Sequence, residues 1–98
     1  MEKLSFQYKA TKTLSRQAYV GVVGSGDLEI LLEPLEDQQT EVLVRTSVNG
    51  FQEIWEAVLE RFFATNDFAA KVEINDFGAT PGVVSLRLAQ AVEVAVHE

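Results

Sequence analysis

The hydrophobic pattern of this chain predicts an α+β fold, a two-layer domain in which about four mainly antiparallel strands carry two helices on one face. Three observations lead there. Several short segments alternate apolar and polar side chains with the period of a half-buried strand. One stretch, from Phe51 to Phe62, instead repeats its apolar residues at helical spacing, and Thr80-Pro81 opens a second apolar run with the residues that begin a helix. The resulting order is β-ββ-β-α-β-α. With 98 residues, 47% of them hydrophobic, the chain is expected to form one domain, residues 1–98, with a small core of its own.

Taken in order, Leu4, Phe6, Tyr8 and Ala10 alternate with Lys3, Ser5, Gln7 and Lys9, which writes the first strand. Thr11 to Arg16 is a polar connection with one leucine. Ala18 to Val23 and Leu28 to Glu33 read as a hairpin around a tight glycine turn, with Leu28, Ile30 and Leu32 on the core face and Glu29 and Glu33 opposite. Pro34 ends that strand by removing a ladder donor, and Leu35 to Gln39 is an acidic, polar loop. Glu41 to Ser47 is a further strand that places Val42 and Val44 on one face.

Asn49 and Gln52 have the spacing of a helix cap with its reciprocal partner. Behind them Phe51, Ile54, Trp55, Val58, Leu59 and Phe62 form a broad stripe assigned to the core, with Glu53, Glu56 and Glu60 on the other side. After a loop from Thr65 to Ala69, Lys71 to Asn75 is a short strand, and residues 76–82 turn the chain. Val83 to Val96 is ambiguous by period alone. The N-cap Thr80 and N1 Pro81 decide for helix, and the chain end from Val96 is expected to fray.

Composition excludes much chemistry. The chain has no cysteine, so it offers neither disulfides nor thiolates, and any thiol must come from a cofactor. Its one histidine, His97, lies next to the C-terminus, a poor place for a general base, and the acidic residues are spread over helix faces and loops. No catalytic residue and no metal site are therefore assigned. A net charge of −7 opposes binding to a phosphate backbone, and no stretch reads as a signal peptide or membrane span. The expectation is a cytoplasmic protein that binds neither nucleic acid nor membrane.

The stretch Gly21-Val-Val-Gly-Ser-Gly-Asp27 organises the reading of function. Gly24 and Gly26 flank Ser25 between two apolar runs, so Ser25 is placed at an exposed hairpin tip, with Asp27 free to bond to turn amides. By itself this is also ordinary turn chemistry. A dinucleotide fingerprint would need a helix directly after the glycines, and a hydrolase elbow would need glycines two residues either side of the serine, where Val23 and Asp27 stand. Asp76-Phe77-Gly78 matches the kinase metal-binding triplet, but a chain this short lacks the rest of a kinase.

Residues 20–30, VGVVGSGDLEI, taken with residues 76–83, DFGATPGV, and Arg87, resemble the acyl carrier protein, or delta subunit, of bacterial malonate decarboxylase. The similarity runs along nearly the whole chain. A weaker similarity reaches the acyl carrier subunit of citrate lyase, to whose strand-Asp-x-Gly-Ala-helix segment Asp76, Gly78 and Ala79 correspond. The resemblance implies that Ser25 carries 2′-(5″-phosphoribosyl)-3′-dephospho-coenzyme A through a phosphodiester. It also implies that acetyl and malonyl thioesters on that group move between transferase and decarboxylase subunits after a loading enzyme has attached it. Gly24, Gly26 and Asp27 match the surrounding motif, and their role in shaping the turn is a physical inference. Ordinary acyl carriers are helical bundles with an Asp-Ser-Leu triplet, which this chain lacks. Two other readings stand beside this one: a citrate-lyase-type carrier, and an unmodified acidic interaction module.

Overall fold

The computed structural model describes residues 1–22 and 24–96. Alternating side chains produce the strands β1 (Glu2–Lys9), β2 (Ala18–Gly21), β3 (Leu28–Pro34), β4 (Gln39–Thr46) and β5 (Ala70–Asp76), with helices α1 (Gln52–Thr65) and α2 (Pro81–Val96). The sheet order is β1-β4-β5-β3-β2. Every pairing is antiparallel except β4 with β5, whose parallel register requires a crossover, and α1 supplies it. The sheet thus has five strands rather than about four, because all five strand segments of the expected β-ββ-β-α-β-α order, the short edge Ala18–Gly21 included, join one sheet.

The register aligns the apolar residues into rows across the sheet. Leu4, Val44, Ile74, Ile30 and Val20 form one, and Phe6, Val42, Val72, Leu32 and Ala18 the next. Both helices cover this face, α1 against β1 and α2 against β2 and β3, and the helices touch each other. The central residues Ile30, Leu32, Val44, Val72 and Ile74 are fully buried and join Leu59, Leu88 and Ala91 of the helices in one cluster. The opposite face is polar. There Asn75 Nδ2 donates to Glu29 Oε1 at 2.9 Å, the Tyr19 hydroxyl donates to the other oxygen of Glu29, and Arg45 pairs with Glu73 at 3.9 Å.

Several local expectations change. The helix cap is not Asn49 with Gln52: α1 has Phe51 at its N-cap and no side-chain cap bond. Gly50, at φ +87°, turns the chain after Asn49 and donates its N–H to Glu2 Oε1 at 3.2 Å, which ties the helix entry to β1 and leaves Asn49 two positions too early. The stripe of α1 is wider than the surface it covers. Trp55, Val58 and Leu59 are buried, while Phe51 and Ile54 stay 44% and 45% exposed. Pro34 is the last paired residue of β3 rather than a residue beyond it, opposite Ala70. The connection after β1 is less loose than its polarity implied, since Leu14 is buried and the Ala69 N–H donates to the Lys12 carbonyl at 2.8 Å. The run 83–96 is helical, with the Val83 N–H donating to Thr80 Oγ1 at 3.3 Å, as the Thr80-Pro81 start implied. His97 lies outside the described residues, as does the expected fraying beyond Val96.

Candidate functional site: a serine on a locked turn

The hairpin tip is built from its glycines. Gly21 has φ +107°, and a Cβ there would sit 2.2 Å from the Leu28 carbonyl oxygen, so only glycine lets β2 leave the ladder at this point. The register of β2 with β3 ends at Gly21↔Glu29, one further bond runs from the Val22 N–H to the Leu28 carbonyl at 3.0 Å, and Val23, the expected end of the strand, lies outside the described residues. The Asp27 N–H donates to the Gly24 carbonyl at 3.2 Å, closing a β-turn with Ser25 and Gly26 at its centre. Among the described residues only glycines have positive φ, Gly26 at +78°, which is the type II pattern.

This turn is held from outside the hairpin. The Gly26 N–H donates to the Phe77 carbonyl at 2.7 Å, and the Phe77 N–H donates to the Asp27 carbonyl at 2.9 Å. Gly26 and Asp27 together oppose the single residue Phe77, continuing the β3–β5 ladder past Leu28↔Asp76 as a glycine bulge. The two segments that carry the family resemblance therefore lie against each other.

The Asp27 carboxylate completes the lock. Arg87 of α2 grips it with both arms, Nε to Oδ1 at 3.1 Å and Nη2 to Oδ2 at 2.7 Å, and the Leu28 N–H donates to Oδ1 at 2.7 Å. The Arg87 hydrogen bonds, followed by the Leu28 amide, hold the Asp27 carboxyl below the usual carboxylate range, and Asp27 in turn raises Arg87. Asp27 thus bonds to an adjacent amide as expected, but its strongest partner is remote. Arg87 entered the sequence reading as part of a resemblance, without a role.

Asp76 is the other residue whose role the sequence concealed. It ends β5 at 4% exposure, unlike the solvated carboxylates expected of this chain. Its Oδ2 accepts from the Thr46 hydroxyl at 2.8 Å and from the Gly78 N–H at 3.2 Å, and its Oδ1 accepts from the Ala79 N–H at 2.9 Å. It fixes the loop that in turn holds Gly26. No groups of three or more metal-ligating side chains come together among the described residues.

Ser25 itself is exposed, and its hydroxyl makes no hydrogen bond to any described residue. A Cβ at the neighbouring Gly26 would meet nothing within 4 Å. A turn held by hydrogen bonds at Gly26 and Asp27, open surroundings and a hydroxyl with no partner among the described residues leave Ser25 accessible at the surface. The profile of the malonate decarboxylase delta subunit family matches residues 15–95, and the chain belongs to that family. It is 48% identical to the malonate decarboxylase acyl carrier protein of Stutzerimonas stutzeri over the whole of both chains, and 53% identical to that of Azotobacter vinelandii over 95% of each. It superposes with a TM-score of 0.92 on a chain of a Pseudomonas malonate decarboxylase hetero-tetramer solved with malonate, at 48% identity, covering 97% of this chain and 99% of that one.

Proposed function

We propose that this chain is the non-catalytic acyl carrier subunit of a malonate decarboxylase, and that Ser25 is the attachment point for phosphoribosyl-dephospho-coenzyme A. The observation that carries this reading is the exposed Ser25 hydroxyl, without a hydrogen-bond partner among the described residues, on a turn locked at Gly26 and Asp27.

The residues present fit such a group. The space beside Ser25 is open, and the adjacent carboxylate of Asp27 is paired with Arg87, which weakens the repulsion that an anionic phosphodiester would otherwise meet there. When bound, the group supplies the terminal thiol that a cysteine-free chain lacks, and with it the means to carry acetyl and malonyl units as thioesters.

The chain's own part is presentation. In loading, Ser25 Oγ would attack the phosphorus of a phosphoanhydride-activated form of the group, the new O–P bond replacing the P–O bond to the departing phosphate or diphosphate while the hydroxyl gives up its proton. No described side chain accepts a hydrogen bond from that hydroxyl, so the base belongs to the loading enzyme. Afterwards the turn holds the tether's origin still while the transferase and decarboxylase subunits act in succession, and tethering raises the local substrate concentration at each site. Ser25→Ala in the assembled complex is expected to leave the carrier folded and abolish malonate decarboxylation. Undiminished activity from that variant overturns the assignment.

A further inference from the structure

An apolar groove of about 200 Å³ opens between the starts of the two helices. Val48, Phe51, Ile54 and Pro81 line its mouth, with Trp55 and Val84 deeper. The mouth is unusually apolar for exposed surface, since Val48, Phe51 and Ile54 are between 37% and 45% exposed. Asp76 and Gly78 also line it, and a Cβ on Gly78 would lie 3.9 Å from the Gly26 nitrogen, so the groove abuts the turn that carries Ser25.

Phe51 and Ile54 also line a shallower depression whose remaining side chains include Glu2, Glu53 and Glu56, and neither lining contains a lysine or arginine. The geometry points to a docking site for another subunit of the decarboxylase: a segment that seats an apolar side chain in the groove and places arginine or lysine against this acidic rim. The identity of the partner rests on the carrier reading; the chemistry of the surface does not.

Charge decides the occupant. A second copy of the chain would bring Glu2, Glu53 and Glu56 against their own equivalents, and the prosthetic arm or an anionic lipid would carry negative charge towards them, whereas a basic segment is attracted. Placing the contact beside the Ser25 turn gives it a use, because docking there delivers the tether's origin to the partner in a fixed orientation.

The test is titration calorimetry of the full chain against the assembled remaining subunits, comparing wild type with Phe51→Gln/Ile54→Gln and with Glu53→Lys/Glu56→Lys. Phe51 is the exposed N-cap of α1 and Glu53, Ile54 and Glu56 are exposed positions within it, where glutamine and lysine suit a helix, and circular dichroism checks the fold. The apolar pair is expected to weaken binding about tenfold or more at any ionic strength. The charge pair is expected to weaken it about tenfold at 0.05 M salt and far less at 0.5 M. Unchanged affinity for both folded variants overturns the proposal. So does wild-type dimerisation that the apolar pair abolishes while subunit binding persists, or movement of groove resonances on loading of Ser25 and not on subunit addition. The intact mass of each variant after loading tests the carrier reading separately.

Discussion

Arg87 grips both carboxylate oxygens of Asp27 across 60 residues of sequence, tying helix α2 to the turn that presents Ser25. The pair is about one-quarter exposed, so its value lies in orientation more than in stability.

Arg87→Ala is expected to leave the circular dichroism of the fold unchanged while amide exchange at Gly26 and Asp27 accelerates. Arg87→Lys keeps the charge but loses the fork, and is expected to fall between wild type and alanine. Equal exchange in all three proteins counts against the clasp.

Acid is expected to release the same contact. Because folding lowers the Asp27 pKa, its contribution is fully present above the unfolded value, about pH 4, and is lost as pH falls through the lower folded value. Asp27→Asn is expected to remove part of the stability lost on acidification, as read from thermal unfolding at a series of pH values below 5. Arg87 titrates far above this range and adds no slope.

The glycines of the tip are expected to differ sharply in tolerance. Gly21→Ala drives a Cβ into the Leu28 carbonyl in a left-handed conformation, and is expected to destabilise the chain by more than about 1 kcal/mol in urea unfolding. Gly24→Ala meets only Val22 Cγ1 at an ordinary 3.6 Å, and is expected to stay within about 0.5 kcal/mol of wild type.

Asp76→Asn retains shape but loses an acceptor, since whichever oxygen becomes the amide nitrogen then faces a backbone N–H, that of Gly78 or that of Ala79. About 1–3 kcal/mol of destabilisation is expected from these buried groups, measured by the same unfolding experiment.

Strands and helices were legible because their signals are local: Leu28, Ile30 and Leu32 announce a core face by spacing alone. The exposed serine was legible for the same reason, from its flanking glycines. The lock was not. Which loop opposes Gly26, and which cation meets Asp27, depends on β5 pairing with β3 and on α2 lying over β2 and β3, contacts between residues some 50–60 positions apart in this chain. Asp76 was hidden similarly, since its burial follows from sitting on a row beside Thr46 and Leu28 rather than from its neighbours in sequence. The α1 cap failed because Gly50, not Asn49, sets the entry angle, and the stripe failed at Phe51 and Ile54 because periodicity identifies an apolar face without saying how much of it is covered.

The most direct measurement is the intact mass of the chain purified from cells that hold its loading enzyme, with the modified peptide mapped. An increment matching phosphoribosyl-dephospho-coenzyme A on Ser25 is expected. A bare polypeptide from cells with demonstrated loading activity contradicts the carrier role and leaves Ser25 a turn residue on an interaction module.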